Sequence, residues 1–524
     1  MQFFYTATAA VAFLPTSLAF INNAPQAVTS SGTLIGHQAS NKTFVSEYLG
    51  VRYAQAPTGD LRFAPPKRYI VPFGTVYQAK EWSDDCLSNK PPLSSFPNFS
   101  QPSGLRTWKN FAGQNDNPAS EDCLKLNVWA KATLWWELKP VLVYFHGGRF
   151  ITPGPHSPFY NGQYLADVED VVVVTVNYRL GIFGFSGAPG IQQNIALLDQ
   201  RLAVTWVRDN IQAFGGDPKR IVIFGQSAGG ASVDYFSFAY KSDPIVSGLI
   251  AHSGTSLRFK PNSPEYAQNL WYNVTETIDC GTANDHAMAV LACVRQAPIS
   301  VVLAAAAKVQ ALPTMALAKA AFYPTVDNVT VFANYDELTK SGAFAEIPLL
   351  AGNTDFEAGW YKLSAYGAKL NLSEAQWDLF VERGFTCPNK YSTKARVNAG
   401  VPTWRYRYHG DWDNLRLYDS EAGLGPRGSG AYHGSEIGMI FGTAQDISGQ
   451  PNTAEEEATS RYMMGAWAAF ARDSREGLTK YGWPAYSEAT ESLVRLGYNN
   501  KAALNVVSPS LYDNACPLTN DGSF

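Results

Sequence analysis

The chain has 524 residues, 46% of them hydrophobic, so there is ample material for a large core, and length alone would accommodate about three or four domains. Lys and Arg (41) nearly balance Asp and Glu (45), giving a formal net charge of -4. That balance leaves no basic footprint and excludes nucleic acid as an expected partner.

Residues 1–19 read as a secretory signal peptide. Phe3 to Phe13 is mostly apolar or small, and Ser17-Leu-Ala19 fits a small-residue cleavage site, which makes Phe20 the expected mature N-terminus. The apolar run is broken by Thr6, Thr8 and Pro15 and is short for a membrane span. Six cysteines, an even number, suit an oxidising compartment. Asn41, Asn98, Asn273, Asn328 and Asn371 each open an N-x-[ST] sequon and are candidate glycosylation sites. No later stretch is long and apolar enough to cross a bilayer, so an exported chain without an integral membrane segment is expected.

Down the chain, Leu124, Leu126 and Val128 alternate with polar residues, the period of a half-buried strand. Val141 to Phe145 is a continuous apolar run that ends at His146-Gly147-Gly148, and Val171 to Asn177 is another. Both read as buried strands. Leu197 to Ile211 carries apolar residues at helical spacing. Ile221 to Phe224 predicts a strand and the residues after Ser227 a helix, with further short apolar runs at Val246 to Ala251 and Ile347 to Ala351. Thr453-Ala-Glu-Glu456 is a capping box opening a helix with Met463, Met464, Trp467 and Phe470 inward. Apolar strands alternating with helices predict an α/β architecture, a mostly parallel sheet covered on both faces. Residues from about 266 to 321 are Ala-rich and helical. They read as a helical insertion at the carboxyl edge of the sheet, walling an active site. No internal repeat and no linker is evident, so residues 20–524 are expected to form one domain.

The strand-to-helix junction contains Gly225-Gln-Ser-Ala-Gly229, a G-x-S-x-G pattern. Such a turn holds its apex residue in a strained conformation, clear of the sheet and at the positive end of a helix. Ser227 is therefore a candidate nucleophile, flanked by Gln226 as a supporting residue, and the Ala228 N–H is a candidate oxyanion donor. A nucleophilic serine needs a base and an orienting acid, in the chain order serine, acid, histidine for a sheet of this kind. Of the histidines beyond the elbow, His286, His409 and His433 leave room for an acid. His433 is preferred because Gly428-Ser-Gly-Ala-Tyr-His-Gly434 is a loop, whereas His409 ends the alternating run Thr403 to Tyr408 and reads as a strand cap. Asp355 and Glu357 both follow the run at Ile347, and spacing does not separate them. His146 reads as a side chain that steadies the Gly147-Gly148 turn. Gly423-Leu-Gly-Pro-Arg-Gly428 matches G-x-G-x-x-G, but no strand closely precedes it and no helix follows, so it is a plain loop. There is no H-E-x-x-H and no close cysteine pair, so neither a metal nor a cofactor is implied.

The elbow, Glu121-Asp-Cys-Leu-Lys-Leu-Asn-Val128, Asn177-Tyr-Arg-Leu-Gly181, Asn210-Ile-Gln-Ala-Phe-Gly-Gly-Asp-Pro218 and His433-Gly-Ser-Glu-Ile437 resemble the type-B carboxylesterase family, which contains cholinesterases and fungal secreted lipases. The resemblance runs from about Tyr48 to Gly442. It implies an α/β-hydrolase fold and a serine esterase acting on a small-molecule ester. True lipase, sterol esterase, metabolite-tailoring esterase and non-catalytic binding protein are its alternatives. The family's acid lies five residues after a strand-ending glycine, here Gly352, which implies Glu357. The resemblance also implies an oxyanion hole from the N–H groups of Gly148, Arg149 and Ala228, and Ser253 as a serine steadying the acid–base pair. It pairs Cys86 with Cys123 and Cys280 with Cys293, leaving Cys387 with Cys516. Two positions depart from the family pattern. Arg149 stands where a third glycine is usual, and Ala358 follows the acid in place of glycine. The Cys86–Cys123 loop corresponds to the flap of the family's fungal lipases. Pro91, Pro92, Pro97, Pro102 and Pro118 interrupt it, so no amphipathic lid helix is expected there. Its Phe96, Phe99, Trp108 and Phe111 either line a pocket mouth or pack the loop onto the body.

Overall fold

The computed structural model describes residues 24–89, 95–114, 116–133, 137–152, 154–258, 260–311 and 319–517. The expected leader at residues 1–19 and Pro91–Pro92 lie outside the described residues. The central feature is an 11-stranded sheet. Its strands are β1 (His37–Gln38), β2 (Val45–Arg52), β3 (Lys125–Lys131), β4 (Lys139–Phe145), β5 (Val172–Val176), β6 (Gly216–Gln226), β7 (Gly248–His252), β8 (Leu349–Thr354), β9 (Thr403–Tyr408), β10 (Leu493–Leu496) and β11 (Val506–Val507). They lie in the order β11-β10-β9-β8-β7-β6-β4-β5-β3-β2-β1. Neighbours from β5 through β10 run parallel, and the flanking pairs at both edges run antiparallel.

The apolar runs of the sequence become strands buried on both sides, and successive residues feed two different cores. Val141, Val143, Phe145, Val172, Val174, Ile221, Ile223, Leu249 and Leu349 face one. Leu142, Tyr144, Val173, Val222, Phe224, Ile250 and Leu350 face the other. The first core is closed by helices Ile195–Asn210 and Ala228–Ala239, through Val204, Val207, Val233 and Phe236. The second is closed by the helix Ala454–Arg472, through Met463, Trp467 and Phe470. That helix opens on the expected capping box, in which Thr453 and Glu456 each bond the other's backbone N–H. The run from Thr403 to Tyr408 is buried at every position. Its arginines are tolerated inside because Arg405 pairs with Asp513 and Arg407 with Asp355.

The insertion forms helices Pro264–Thr277, Ala287–Gln296 and Ile299–Lys308. They share a separate apolar cluster with Phe63, Leu87, Ile182 and Phe183. Ile182 and Phe183 follow the carboxyl end of β5, so the insertion sits at the expected edge of the sheet. The Cys86–Cys123 loop corrects one expectation. It contains an eight-residue helix, Gly104–Phe111. Pro97, Pro102 and Pro118 all fall outside those residues and leave the helix intact. Its Trp108 stacks on Trp360 at 5.7 Å and, with Phe96 and Phe99, is buried against Leu417, Tyr418 and Tyr432. Three of the four loop aromatics therefore pack the loop onto the body. Disulfides join Cys86 to Cys123, Cys280 to Cys293 and Cys387 to Cys516, as expected. Among the described residues no single helix is long and apolar enough to cross a membrane.

Candidate active site

β6 ends at Gln226, and the helix Ala228–Ala239 begins one residue later. Ser227 makes the whole turn, with φ 58° and ψ −118°. For a residue with a Cβ this conformation costs about 1–3 kcal/mol, and the surroundings must hold it. They do so through the backbone: Ser227 N donates to His252 O at 2.8 Å. The glycines on either side face each other. A Cβ on Gly225 would lie 2.4 Å from the Gly229 carbonyl carbon, and one on Gly229 would lie 1.9 Å from Phe145 O. The strand–helix crossing is therefore too close for any side chain at these two positions.

Three parallel strands bring the next residues to the same edge. Gln226, His252 and Gly352 are in register across β6, β7 and β8. Ser253 follows β7, and Glu357 follows β8 at the start of the helix Ala358–Gly367. Glu357 Oε1 accepts from Ser253 Oγ at 2.7 Å and from Thr354 N at 2.8 Å. Its Oε2 makes a short hydrogen bond to His433 Nδ1. Glu357 is 0% exposed, His433 3% and Ser227 6%. The carboxylate fixes the imidazole tautomer: Nδ1 carries the proton, and Nε2 is left as an acceptor. The Gln226 amide nitrogen lies 3.1 Å from that Nε2 and donates to it. Burial, reinforced by the nearby Arg258 cation, holds the His433 pKa below its ordinary 6.5 against the opposing pull of Glu357.

The other acid and base candidates form a pair of their own, apart from the serine. Asp355 Oδ1 accepts from Arg407 Nε at 2.7 Å and lies 3.5 Å from His409 Nδ1. His409 N bonds Leu496 O, as a strand cap would. His146 packs face to face on Tyr178, with centroids 4.3 Å apart, and its Nδ1 lies 3.0 Å from Gly147 O. Burial lowers its pKa to about 4, so it stays neutral and steadies the turn. In that turn Gly148, Arg149 and Phe150 all have positive φ (92°, 55° and 60°), and Gly148 O accepts from the N–H groups of Ile151 and Thr152. A Cβ on Gly147 would lie 3.0 Å from the Ser227 Cβ, so this turn runs directly beside the serine. The Gly423–Gly428 stretch is a loop with no strand leading into it.

Sequence reasoning missed the shell around His433. The Tyr361 and Phe385 rings each pack 5.2 Å from the imidazole. Phe111, the fourth loop aromatic, sits where a Cβ on Gly434 would be, at 2.3 Å, and meets Trp360 edge-on at 4.6 Å. Glu436 is fully buried, and burial together with Glu357 drives its pKa upward. Tyr361 stands four residues after Glu357 on one helix, so helical spacing would have placed both on one face.

A model of the carboxylesterase family matches residues 23–377 and 364–516. The chain is 32% identical to a chlorogenic acid esterase of Aspergillus niger, over 93% of each chain. It is 31% identical to secreted lipase 5 of Gibberella zeae, over 90% of each. It is 30% identical to the acetylcholinesterase of Danio rerio, over 87% of this chain and 82% of the relative. With a hydrolase-type α/β sheet and relatives of this kind along nearly its whole length, the chain belongs to the carboxylesterase family and is a carboxylic ester hydrolase with the α/β-hydrolase fold.

Proposed function

We propose that the protein is a secreted single-domain serine esterase that works through Ser227, His433 and Glu357 and forms an acyl-enzyme. The observation that carries this reading is the hydrogen-bonded series from Ser253 through Glu357 to His433, set at the elbow where Ser227 turns. Ser227 Oγ attacks the ester carbonyl carbon while His433 Nε2 takes its proton. The N–H groups of Gly148, Arg149 and Ala228 receive the oxyanion. His433 then protonates the departing alcohol, and water repeats the sequence to release the acid. In the resting enzyme Gln226 occupies the acceptor nitrogen of His433, and it gives way to Ser227 Oγ when substrate binds. Export rests on the leader at residues 1–19, on the three disulfides and on the likeness to a secreted lipase. N-terminal sequencing of the exported protein should begin at or next to Phe20, and retention of Met1 would refute the leader.

The substrates are soluble esters of short-to-medium or aromatic acids. Phe111 and Trp360 beside the His433 loop support an aromatic group. A lid that opens at an oil surface needs a spare apolar face. The helix Gly104–Phe111 has none to spare, because Trp108 is buried and Asn110 and Arg106 are bonded to Ile447 O. The rate should therefore stay flat as a medium-chain triglyceride passes its solubility limit. A steep rise once droplets form would favour the lipase reading instead.

The pH dependence follows from His433. Catalysis needs the neutral imidazole, so activity is lost as pH falls through the enzyme's His433 pKa. Burial, the largest influence, lowers that pKa. The acid limb of kcat/KM should have its midpoint below pH 6.5, the imidazole's ordinary value. A midpoint above it would mean that the Glu357 charge outweighs burial.

A further inference from the structure

The sequon asparagines differ in what surrounds them. The Asn41 and Asn98 amides donate to Tyr164 Oη at 2.9 Å and to Ala422 O at 3.2 Å. Asn371 instead lines a cleft of about 680 Å³, which falls within the roughly 300–1,000 Å³ of small-molecule sites. The helix Ala358–Gly367 borders this cleft and ends in a turn, where Lys369 adopts φ 55° and Leu370 N donates to Ala365 O at 2.9 Å. That ending reverses the chain, and Ser373 then caps the helix Glu374–Val381. Asn371 is thereby held on a short turn between two helices. The Gly423–Gly425 stretch of the G-x-G-x-x-G loop lines the cleft as well. A Cβ on Gly425 would lie 2.5 Å from Lys362 Nζ and 2.6 Å from Glu374 Oε1, so glycine lets this loop close over the Lys362–Glu374 ion pair. Ser95 brings in the Cys86–Cys123 loop, whose Phe96 meets Tyr366 edge-on at 5.1 Å. Tyr366 and Leu370 also line the cleft and are 42% and 44% exposed. Two large apolar side chains left in water within one polar-edged cleft suit a partner that has both an apolar face and hydroxyls.

We propose that Asn371 carries an N-linked glycan whose first sugars lie in this cleft, with the apolar face of a sugar ring on Tyr366 and Leu370 and its hydroxyls toward Ser95 and Glu374. The proposal rests on the export reading, since a chain meets the glycosylating machinery only on that route. The occupant is the chain's own glycan because the acceptor asparagine is itself part of the lining. The sugars therefore begin inside the cleft, and the covalent tether gives them a high local concentration there. Seated in this way, the glycan joins the helix that Glu357 opens to the Cys86–Cys123 loop and to the Gly423–Gly425 loop, and it covers apolar surface outside the His433 site.

The test uses the full chain secreted by a eukaryotic host that adds high-mannose glycans. Mass spectrometry of its peptides should find Asn371 occupied, and Asn371→Gln should lose the mass of one glycan. An endoglycosidase that cuts between the first two sugars then reads the seat. Under native conditions it should release the Asn371 glycan at least about tenfold more slowly from the wild type than from Tyr366→Ala, because it can act only when the sugars leave the cleft. Leu370→Ser should speed release in the same direction. Tyr366 also touches Phe96, so if circular dichroism shows Tyr366→Ala to be misfolded, Leu370→Ser decides. An exported chain that is bare at Asn371 would overturn the proposal. So would release that is equally fast from the wild type and from the deciding variant. Failure of the export reading looks different, since Met1 would then be retained and no sequon would carry sugar, and both readings would fall together.

Discussion

Ser227→Ala should lower kcat on a simple soluble ester by at least about a thousandfold while the protein stays folded. The size follows from chemistry, because without an Oγ the first bond cannot form and only binding and the oxyanion donors remain. The fold should survive because the elbow is held by backbone contacts that alanine keeps: Ser227 N to His252 O, the close approach of Gly225 to Gly229, and that of Gly229 to Phe145 O. Alanine also pays the same backbone cost at φ 58° as serine does. Thermal unfolding should therefore be almost unchanged, and turnover by the purified variant is the deciding measurement. Near wild-type hydrolysis would remove the serine from the chemistry.

The fold was readable in the sequence wherever burial is complete. β4 and β5 are nearly continuous apolar runs because both faces of each strand feed a core, and the two polar residues they bury are paired, Lys139 with Asp170 and Thr175 with Asn127. The helix read at Leu197 to Ile211 forms at Ile195–Asn210, shifted by one or two residues. Elements whose burial depends on distant partners were harder to read. The arginines of β9 mimic an exposed strand face, and partners brought in by the tertiary fold, Asp513 and Asp355 with Thr386 beside them, make them internal. The helix at Gly104–Phe111 was hidden by counting prolines along the loop without regard to the gap between Pro102 and Pro118. At the site, the elbow and the His433 loop carry their own local signal. The candidate acid does not, since Asp355 and Glu357 leave the same strand end two residues apart. What separates them comes from elsewhere: Ser253 and His433 for one, Arg407 and His409 for the other.

Glu357→Gln should be far more damaging to turnover than Asp355→Asn. The reason lies in hydrogen-bond direction. Ser253 Oγ and Thr354 N both donate to Glu357 Oε1, so the amide oxygen of a glutamine is held at that position. Its NH2 then faces His433 Nδ1, which also carries a proton. Two donors cannot share the contact, so the imidazole must move its proton to Nε2 and can no longer accept one from Ser227. The imidazolium formed during attack also loses its counter-charge. Together these should cost on the order of a thousandfold or more in kcat. The corresponding change at Asp355 keeps an oxygen for Arg407 Nε and lies at the partly exposed pair with His409, away from the serine. Its effect on turnover should stay within about threefold, as for a substitution outside the reacting groups. Measuring kcat for both variants on one ester, with circular dichroism to show that each is folded, decides the assignment. The opposite ranking would make Asp355 and His409 the working pair and would leave the short Glu357–His433 bond as a structural contact.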